Sequence, residues 1–487
     1  HFFRSLTMSR ALMFQGTGSG VGKSVIAAGF CRLLKNRGYQ VRPYKSQNMA
    51  LNSGVTPDGL EIGRAQIVQA LACGVEPDAR MNPILLKPQG PGVSQLIRMG
   101  KVIQTCSAWE YYTLAEENFE VAQKAMRSLR DECDWLVIEG AGSPAEINLQ
   151  KTDIVNMRLA EAAEARVMLI GDIDRGGVFA WLKGTCDLIQ PQHRSLLKGM
   201  LINKFRGDVN LLQPGIDMFA EHVPVPVLGV IPWLELDLED EDSQNLKSKR
   251  IPDPEITVAV VRLPYLSNFT DFDPLKQVEG LSLIFTKNPD ELEQADLIIL
   301  PGSKNTLHDM QFLDQSGISE TLQRLRGTKW IMGICGGYQM LGLQIDDPHG
   351  MESGGSEKGL GMLPMTTVLE GDKRLVRKNY HGMNEFKGLK FNAYEIHLGR
   401  SEFGGNLPES LVLEDPNLGV LDSSNRLVGT YLHGLLESPE IVQKLLYWVS
   451  GKHFEIPESF NQARERELDE LAAFLEEHCD VDQILGN

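Results

Sequence analysis

Gly16-Thr17-Gly18-Ser19-Gly20-Val21-Gly22-Lys23-Ser24 decides the fold of the first half of this chain. An apolar run at 11–14 leads into it, and a segment of helical periodicity at 24–36 leaves it. A glycine-rich turn between strand and helix points backbone N–H groups at a common spot, where an anion is favoured. The strict phosphate-loop pattern is GxxxxGK[ST]. Here Gly16 stands one position further from Gly22, and Thr17 takes the usual first-glycine place. The physics survives the change. Thr17, Gly18, Gly20, Val21 and Gly22 offer N–H groups to phosphates, Lys23 neutralises β/γ charge, and the Ser24 hydroxyl reaches Mg²⁺. An ATP site is expected.

Working outward, short apolar runs at 41–45, 135–139, 167–172, 200–204 and 227–232 alternate with helical stretches. That alternation predicts a parallel, doubly wound sheet, so 8–235 is read as one α/β domain. Glu139 ends a buried strand in Asp134-Trp135-Leu136-Val137-Ile138-Glu139-Gly140-Ala141-Gly142, a candidate Mg²⁺ ligand or water organiser, or else a cap. Asp172-Ile173-Asp174-Arg175-Gly176-Gly177 repeats the setting. Its aspartates are candidate ligands, and Arg175 is a candidate for holding a carboxylate or acyl phosphate. Asn203, after another strand, is a candidate for reading adenine or ribose.

An acidic run, Leu236-Asp237-Leu238-Glu239-Asp240-Glu241-Asp242-Ser243, opens a solvated linker at 236–254. A second α/β pattern follows at 255–450, with strands at 257–261, 281–285, 297–300 and 329–334 and more β character from about residue 366. Residues 451–487 form a helical tail, charged and amphipathic over 462–477. Within the second domain lies Gly333-Ile334-Cys335-Gly336-Gly337-Tyr338-Gln339. Small residues flank a cysteine at a strand-to-helix turn, as a nucleophile elbow requires, and the helix start favours thiolate. His433 is the candidate base, and Gly302 the candidate oxyanion donor after the 297–300 strand. His397 is assigned to substrate binding or architecture.

The composition is that of a globular protein of two or three domains, with 487 residues, 42% hydrophobic and 23% charged. Seven cysteines without a CxxC pair suggest neither a zinc ribbon nor a disulfide framework, and fit a reducing cytoplasm. A net charge of −17 argues against nucleic acid or an anionic membrane as partner. No apolar run approaches the roughly 20 residues of a membrane span. Residues 1–7 lack a signal-peptide core and are set aside from the fold.

Four longer blocks carry a resemblance. Lys45-Ser46-Gln47-Asn48-Met49-Ala50-Leu51-Asn52-Ser53, Gly63-Arg64-Ala65-Gln66, Met81-Asn82-Pro83-Ile84-Leu85-Leu86-Lys87-Pro88 and Glu139-Gly140-Ala141-Gly142-Ser143-Pro144-Ala145-Glu146-Ile147-Asn148-Leu149 resemble the cobyric acid synthase family. The likeness runs from about residue 8 to 448. The first domain of that family is similar to dethiobiotin synthetase, which uses the same lengthened loop to activate a carboxylate with ATP. The pieces around Gly302, Cys335 and His433 resemble a class I glutamine amidotransferase domain. Most of that class continue His-x-Glu; His433-Gly434-Leu435 does not, matching a subgroup in which a Cys–His pair suffices and leaving nothing obvious to orient the imidazole.

The resemblance implies an ATP- and glutamine-dependent ligase of cobalamin biosynthesis. Its corrinoid substrate would be adenosylcobyrinic acid a,c-diamide, amidated at the b, d, e and g carboxylates. Lys45, Gln47, Asn48, Arg64, Lys87, Asp174 and Arg175 are the candidate substrate residues. Ammonia is mostly protonated at neutral pH, so a sheltered path between the two sites is expected. The alternatives are cobyrinic acid a,c-diamide synthase and a ParA/MinD-type ATPase switch.

Overall fold

Strand Arg10–Gly16 is buried on both faces along almost its whole length, as a central strand covered by helices must be. The computed structural model describes residues 9–90, 92–234, 246, 248–405, 407–456 and 458–487. The acidic part of the expected linker, and residues 1–8, lie outside the described residues. The first sheet runs Val227–Pro232, Leu197–Phe205, Arg166–Asp172, Arg10–Gly16, Trp135–Glu139, Val41–Tyr44, all parallel. The phosphate loop therefore leaves the carboxyl end of a central strand, where ligands of such sheets bind.

Beside this sheet stands a smaller one that the sequence reading did not anticipate. Strands Gln47–Met49, Ile84–Gly90, Val93–Arg98 and Lys101–Ser107 form it, next to a hairpin of Ser53–Val55 and Glu61–Gly63.

The helical residues after 451 return to the first domain. Helix Phe460–His478 lays Leu468, Leu471 and Leu475 into one core with Phe14, Ile26 and Phe30. A Cβ on Gly29 would lie 2.3 Å from Leu475 Cδ1, so helix Lys23–Asn36 can approach that closely only with glycine there. Arg32 adds a charged clamp, bonding Asp469 at 2.6 Å and Glu465 at 2.6 Å.

The second domain carries a sheet ordered Leu281–Thr286, Ile256–Val261, Leu297–Leu300, Trp330–Ile334, Leu427–Thr430, Gly419–Asp422, Glu409–Ser410. Its first five strands are parallel and the last two antiparallel. Both halves are thus doubly wound α/β units, and the β-rich region beyond residue 366 builds extra sheets around Lys390–His397. The domains meet through buried polar contacts. Phe269 N donates to Asn52 Oδ1 at 3.1 Å, Lys304 Nζ to Gln95 Oε1 at 3.1 Å, and Lys373 pairs with Glu61 at 2.6 Å.

Candidate functional site

The phosphate loop is held open by its own backbone geometry and by two side chains from strand Leu197–Phe205, two places along the sheet. Gly22 has φ +100°, and a Cβ there would lie 2.2 Å from Asn203 Nδ2. Asn203 Nδ2 donates to Val21 O at 2.8 Å, and Lys204 Nζ to Gly20 O at 2.6 Å. The amide of Asn203 is thus buried against the phosphate loop and supports the loop's shape. Lys23 Nζ reaches back to Gly18 O at 2.8 Å and across to Gly142 O at 3.3 Å.

Glu139, 1% exposed, sits at the floor of this loop. Its Oε1 accepts from Ser24 Oγ and Lys45 Nζ, each at 2.8 Å, and its Oε2 from Gln69 Nε2 at 2.6 Å. A hydroxyl and a carboxylate side by side suit a hard cation such as Mg²⁺, which takes one or two protein oxygens and fills its shell with phosphate and water. Among the described residues no group of three or more His, Cys, Asp or Glu could hold a metal alone. Ser24 and Glu139 fit the ion, and Lys45 belongs to the same cluster.

A cavity of about 430 Å³ opens beside the loop. Gln47 and Met49 line it from the small sheet, with Tyr111, Gly142, Pro144 and Asn156. Gln47 accepts a hydrogen bond from Tyr111 Oη. Asn48, the next residue along the strand, turns the other way, as strand alternation demands. It is buried, with Nδ2 donating to Gln66 Oε1 at 3.2 Å, so it does not line the cavity. Arg175 is 73% exposed and extends over the phosphate loop; an added Cβ on Gly20 would lie 3.7 Å from its Nη2. Asp174 accepts from Arg206 Nε at 3.1 Å.

Two other expected substrate residues lie elsewhere. Arg64 pairs with Glu437 of the second domain at 3.2 Å. Lys87 bonds Glu61 at 2.9 Å and Ser53 Oγ at 2.8 Å. Both cations stand at the domain junction; Lys87 lies on the strand face opposite Leu86 and Pro88, which line the cavity beside the loop. Carboxylate partners there offset the desolvation of buried charge.

In the second domain Cys335 has φ +53° and ψ −109°, a strained setting for a residue with a Cβ. Glycines make the elbow possible. A Cβ on Gly337 would lie 2.0 Å from Leu300 O, and one on Gly333 2.6 Å from Gly337 O. Cys335 N donates to Thr430 O at 2.8 Å, which ties the elbow to the strand leading to His433. Gly302 packs against the imidazole, its Cα so placed that a Cβ would sit 3.4 Å from His433 Cε1. Cys335, His433 and Gly302 are thus brought together.

The expectation that nothing orients the imidazole is overturned. His433 Nδ1 lies 2.6 Å from Asp271 Oδ2, and Gly434 N donates to Asp271 Oδ1 at 2.9 Å. Burial works against a charge on His433, but the Asp271 carboxylate and the nearby Cys335 sulfur outweigh it and raise the imidazole to about 10. The sequence held no local signal for Asp271, which lies 162 residues from its partner.

A small cavity of about 40 Å³ touches the thiol, walled by Cys335, His433, Lys304 and Glu352 and, from the first domain, Lys87. Burial lowers Lys304 to about 8 and raises Glu352 to about 7. His397 lines this cavity and also a wider one of about 830 Å³ that contains Glu395, Arg400 and Asp415. Its ring stacks on Tyr431 with centroids 4.0 Å apart. His397 thus stands between the thiol cavity and the wider one, lining both.

Comparison with known proteins covers both halves. The family model described as the CobQ/CobB/MinD/ParA nucleotide binding domain matches residues 12–246. The one described as the CobB/CobQ-like glutamine amidotransferase domain matches 257–441. A cobyric acid synthase of Desulfitobacterium hafniense is 44% identical over 500 residues, covering 97% of this chain and 96% of that protein. One of Salmonella arizonae is 45% identical over 497 residues, covering 98% of each. Among solved structures, PurLQS from Thermotoga maritima matches at 19% identity with a TM-score of 0.29, over 40% of this chain and 99% of that one. So low a score carries no argument.

Proposed function

This chain belongs to the cobyric acid synthase family, and from that premise we propose that it amidates the b, d, e and g carboxylates of adenosylcobyrinic acid a,c-diamide, using ATP and glutamine. The observation that carries the reading is the placement of both chemistries around one junction. The thiol cavity of the glutaminase half is walled in part by Lys87 of the nucleotide half.

Glutamine enters by the wider cavity past His397. The proton of Cys335 rests on His433, and the thiolate attacks the side-chain amide carbon. The oxyanion forms beside Gly302, whose N–H is the proposed donor. Collapse of the adduct breaks the C–N bond, and the imidazolium returns the proton to the leaving nitrogen as ammonia. Water then cleaves the glutamyl thioester to glutamate, restoring the thiol.

In the first domain the phosphate-loop N–H groups and Lys23 hold the ATP phosphates while a corrinoid carboxylate, seated in the cavity lined by Gln47, Met49 and Tyr111, attacks the γ-phosphorus. ADP leaves and an acyl phosphate forms. Mg²⁺, held by Ser24 and Glu139, would supply charge neutralisation at the phosphates. Ammonia attacks the acyl carbon and phosphate departs, leaving the amide. Arg175 stands over the loop to steady the transferring group. Ammonia travels from Cys335 along the junction near Lys87, sheltered from bulk water.

The test is mass spectrometry of the a,c-diamide after incubation with protein, glutamine, ATP and Mg²⁺. Four successive acid-to-amide conversions are expected. Activity only on unamidated cobyrinic acid would replace this reading with the a,c-diamide synthase, and ATP turnover indifferent to any corrinoid would replace it with a switch.

A further inference from the structure

Asp271 lies on a single helical turn, Phe269–Phe272, preceded by Asn268 in a left-handed conformation with φ +53°. The carboxylate is 5% exposed and His433 is 1% exposed. Both carboxylate oxygens are used. Oδ2 meets His433 Nδ1 at 2.6 Å, while Oδ1 accepts from the N–H of Gly434, the residue after the imidazole. The two contacts fix the ring plane and the tautomer with the proton on Nδ1, leaving Nε2 for Cys335. A base in a nucleophilic pair needs that service from its third member, which steadies the imidazolium without taking its proton.

The turn that bears Asp271 is itself docked on the nucleotide domain. Phe269 N donates to Asn52 Oδ1 at 3.1 Å, and Ser53 N to Asn268 Oδ1 at 3.5 Å. On the other face of the site, Tyr394 stacks on His433 with centroids 5.3 Å apart. Its hydroxyl lies 3.4 Å from Asn268 Nδ2 and 3.5 Å from Ser53 O. The imidazole is therefore framed by two groups, a carboxylate and an aromatic ring, each tied to residues 52–53 of the other domain.

We infer that Asp271 is the positioning carboxylate of the glutamine half-reaction, and that Asn52 of the nucleotide domain keeps it in register, so that glutamine hydrolysis depends on how the two domains are docked. The inference rests on the glutamine chemistry proposed above. In the step itself the proton given up by Cys335 is held on Nε2 while the thiolate forms the S–C bond, and it passes to the leaving nitrogen as the C–N bond breaks; Asp271 stays ionised throughout. Asp271 takes the part that the missing His-x-Glu carboxylate plays in most of the class, from a different place in the chain.

The experiment compares the unaltered protein with Asp271→Asn, Asp271→Glu and Asn52→Ala. Two readouts are taken: the pH dependence of Cys335 alkylation by iodoacetamide, followed on the Cys335 peptide by mass spectrometry, and amidation supported by glutamine or by ammonium. Asp271→Asn is expected to lower glutamine-supported turnover by roughly 10²–10⁴. It should also move the alkylation midpoint up by about one pH unit or more, because the thiolate loses its imidazolium partner. Asn52→Ala is expected to shift both in the same direction, with a loss on the order of tenfold. Ammonium-supported amidation bypasses Cys335 and reports on the fold of each variant. Should Asp271→Asn lose that as well, Asp271→Glu decides: a restored alkylation midpoint supports the carboxylate's role, and an unrestored one overturns it.

An Asp271→Asn protein with unchanged alkylation profile and unchanged glutamine-supported turnover overturns the inference. An Asn52→Ala protein indistinguishable from the unaltered one overturns the dependence on docking. Alkylation needs no corrinoid, so it still tests Asp271 if the unaltered protein amidates none and the functional reading falls.

Discussion

Glu61→Gln removes one charge, and almost no volume, from the centre of the domain junction. The Glu61 carboxylate is fully buried, 2.9 Å from Lys87 Nζ and 2.6 Å from Lys373 Nζ of the other domain. Burial works against its charge, but the two lysines prevail and hold it well below the ordinary carboxylate range. Ser53 Oγ adds a hydrogen bond at 2.8 Å. A neutral amide keeps the shape but weakens these charge-assisted bonds, a loss of about 2–3 kcal/mol.

A second contribution depends on pH. Burial lowers Lys373 to about 7, and Glu61 is the largest influence opposing that fall. Without Glu61 it falls further. A lysine whose folded value lies below its unfolded one leaves the unfolded chain holding more protons, so stability rises with pH between those values. In the unaltered protein that dependence stops below pH 7, where Lys373 is protonated in both states. In Glu61→Gln it continues downward, so the deficit grows by about 1.4 kcal/mol for each pH unit below 7. At pH 8 the contribution cancels and only the hydrogen-bond loss remains, about 4–12 °C in Tm for a domain of this size. Thermal and urea unfolding at pH 6, 7 and 8 reads the difference. Equal deficits at pH 6 and pH 8, or a smaller one at pH 6, would refute the reasoning.

Other perturbations separate the two chemistries. Cys335→Ala is expected to abolish amidation from glutamine while leaving amidation from ammonium at raised pH, read by the same product assay. Lys23→Met removes the cation at the ATP phosphates and should suppress amidation from either nitrogen source by about 10² or more. Leu475→Ala opens a hole between the returning helix and helix Lys23–Asn36 and should cost the first domain about 2–5 kcal/mol in chemical denaturation.

What the sequence made legible follows from where the constraint lies. The phosphate loop and the Cys335 elbow are short stretches whose backbone geometry demands glycine, and they leave a local signature that a reader can find. Asn203 and Lys87 carried a weaker kind of signal, a polar residue after a strand or within a family block. The contacts of such a residue are set by the fold and cannot be read from its neighbours in the chain. Asn203 faces the loop's backbone, and Lys87 faces the other domain. Asp271 left no signal, because its partner lies far along the chain and only the fold joins them. The small sheet of Gln47–Met49 and its neighbours escaped because its runs are short and mixed in polarity.

The return of helix Phe460–His478 to the nucleotide domain makes the glutaminase half, in effect, an insertion between two parts of that domain. On the ribosome, helix Lys23–Asn36 emerges early with Ile26 and Phe30 bare, and their cover arrives only after the whole second domain has been made. At 5–20 residues per second that interval is on the order of half a minute. A prematurely ended chain would therefore carry a complete glutaminase beside an unfinished ATPase. The core of the nucleotide domain is thus completed only after the glutaminase half has been synthesised.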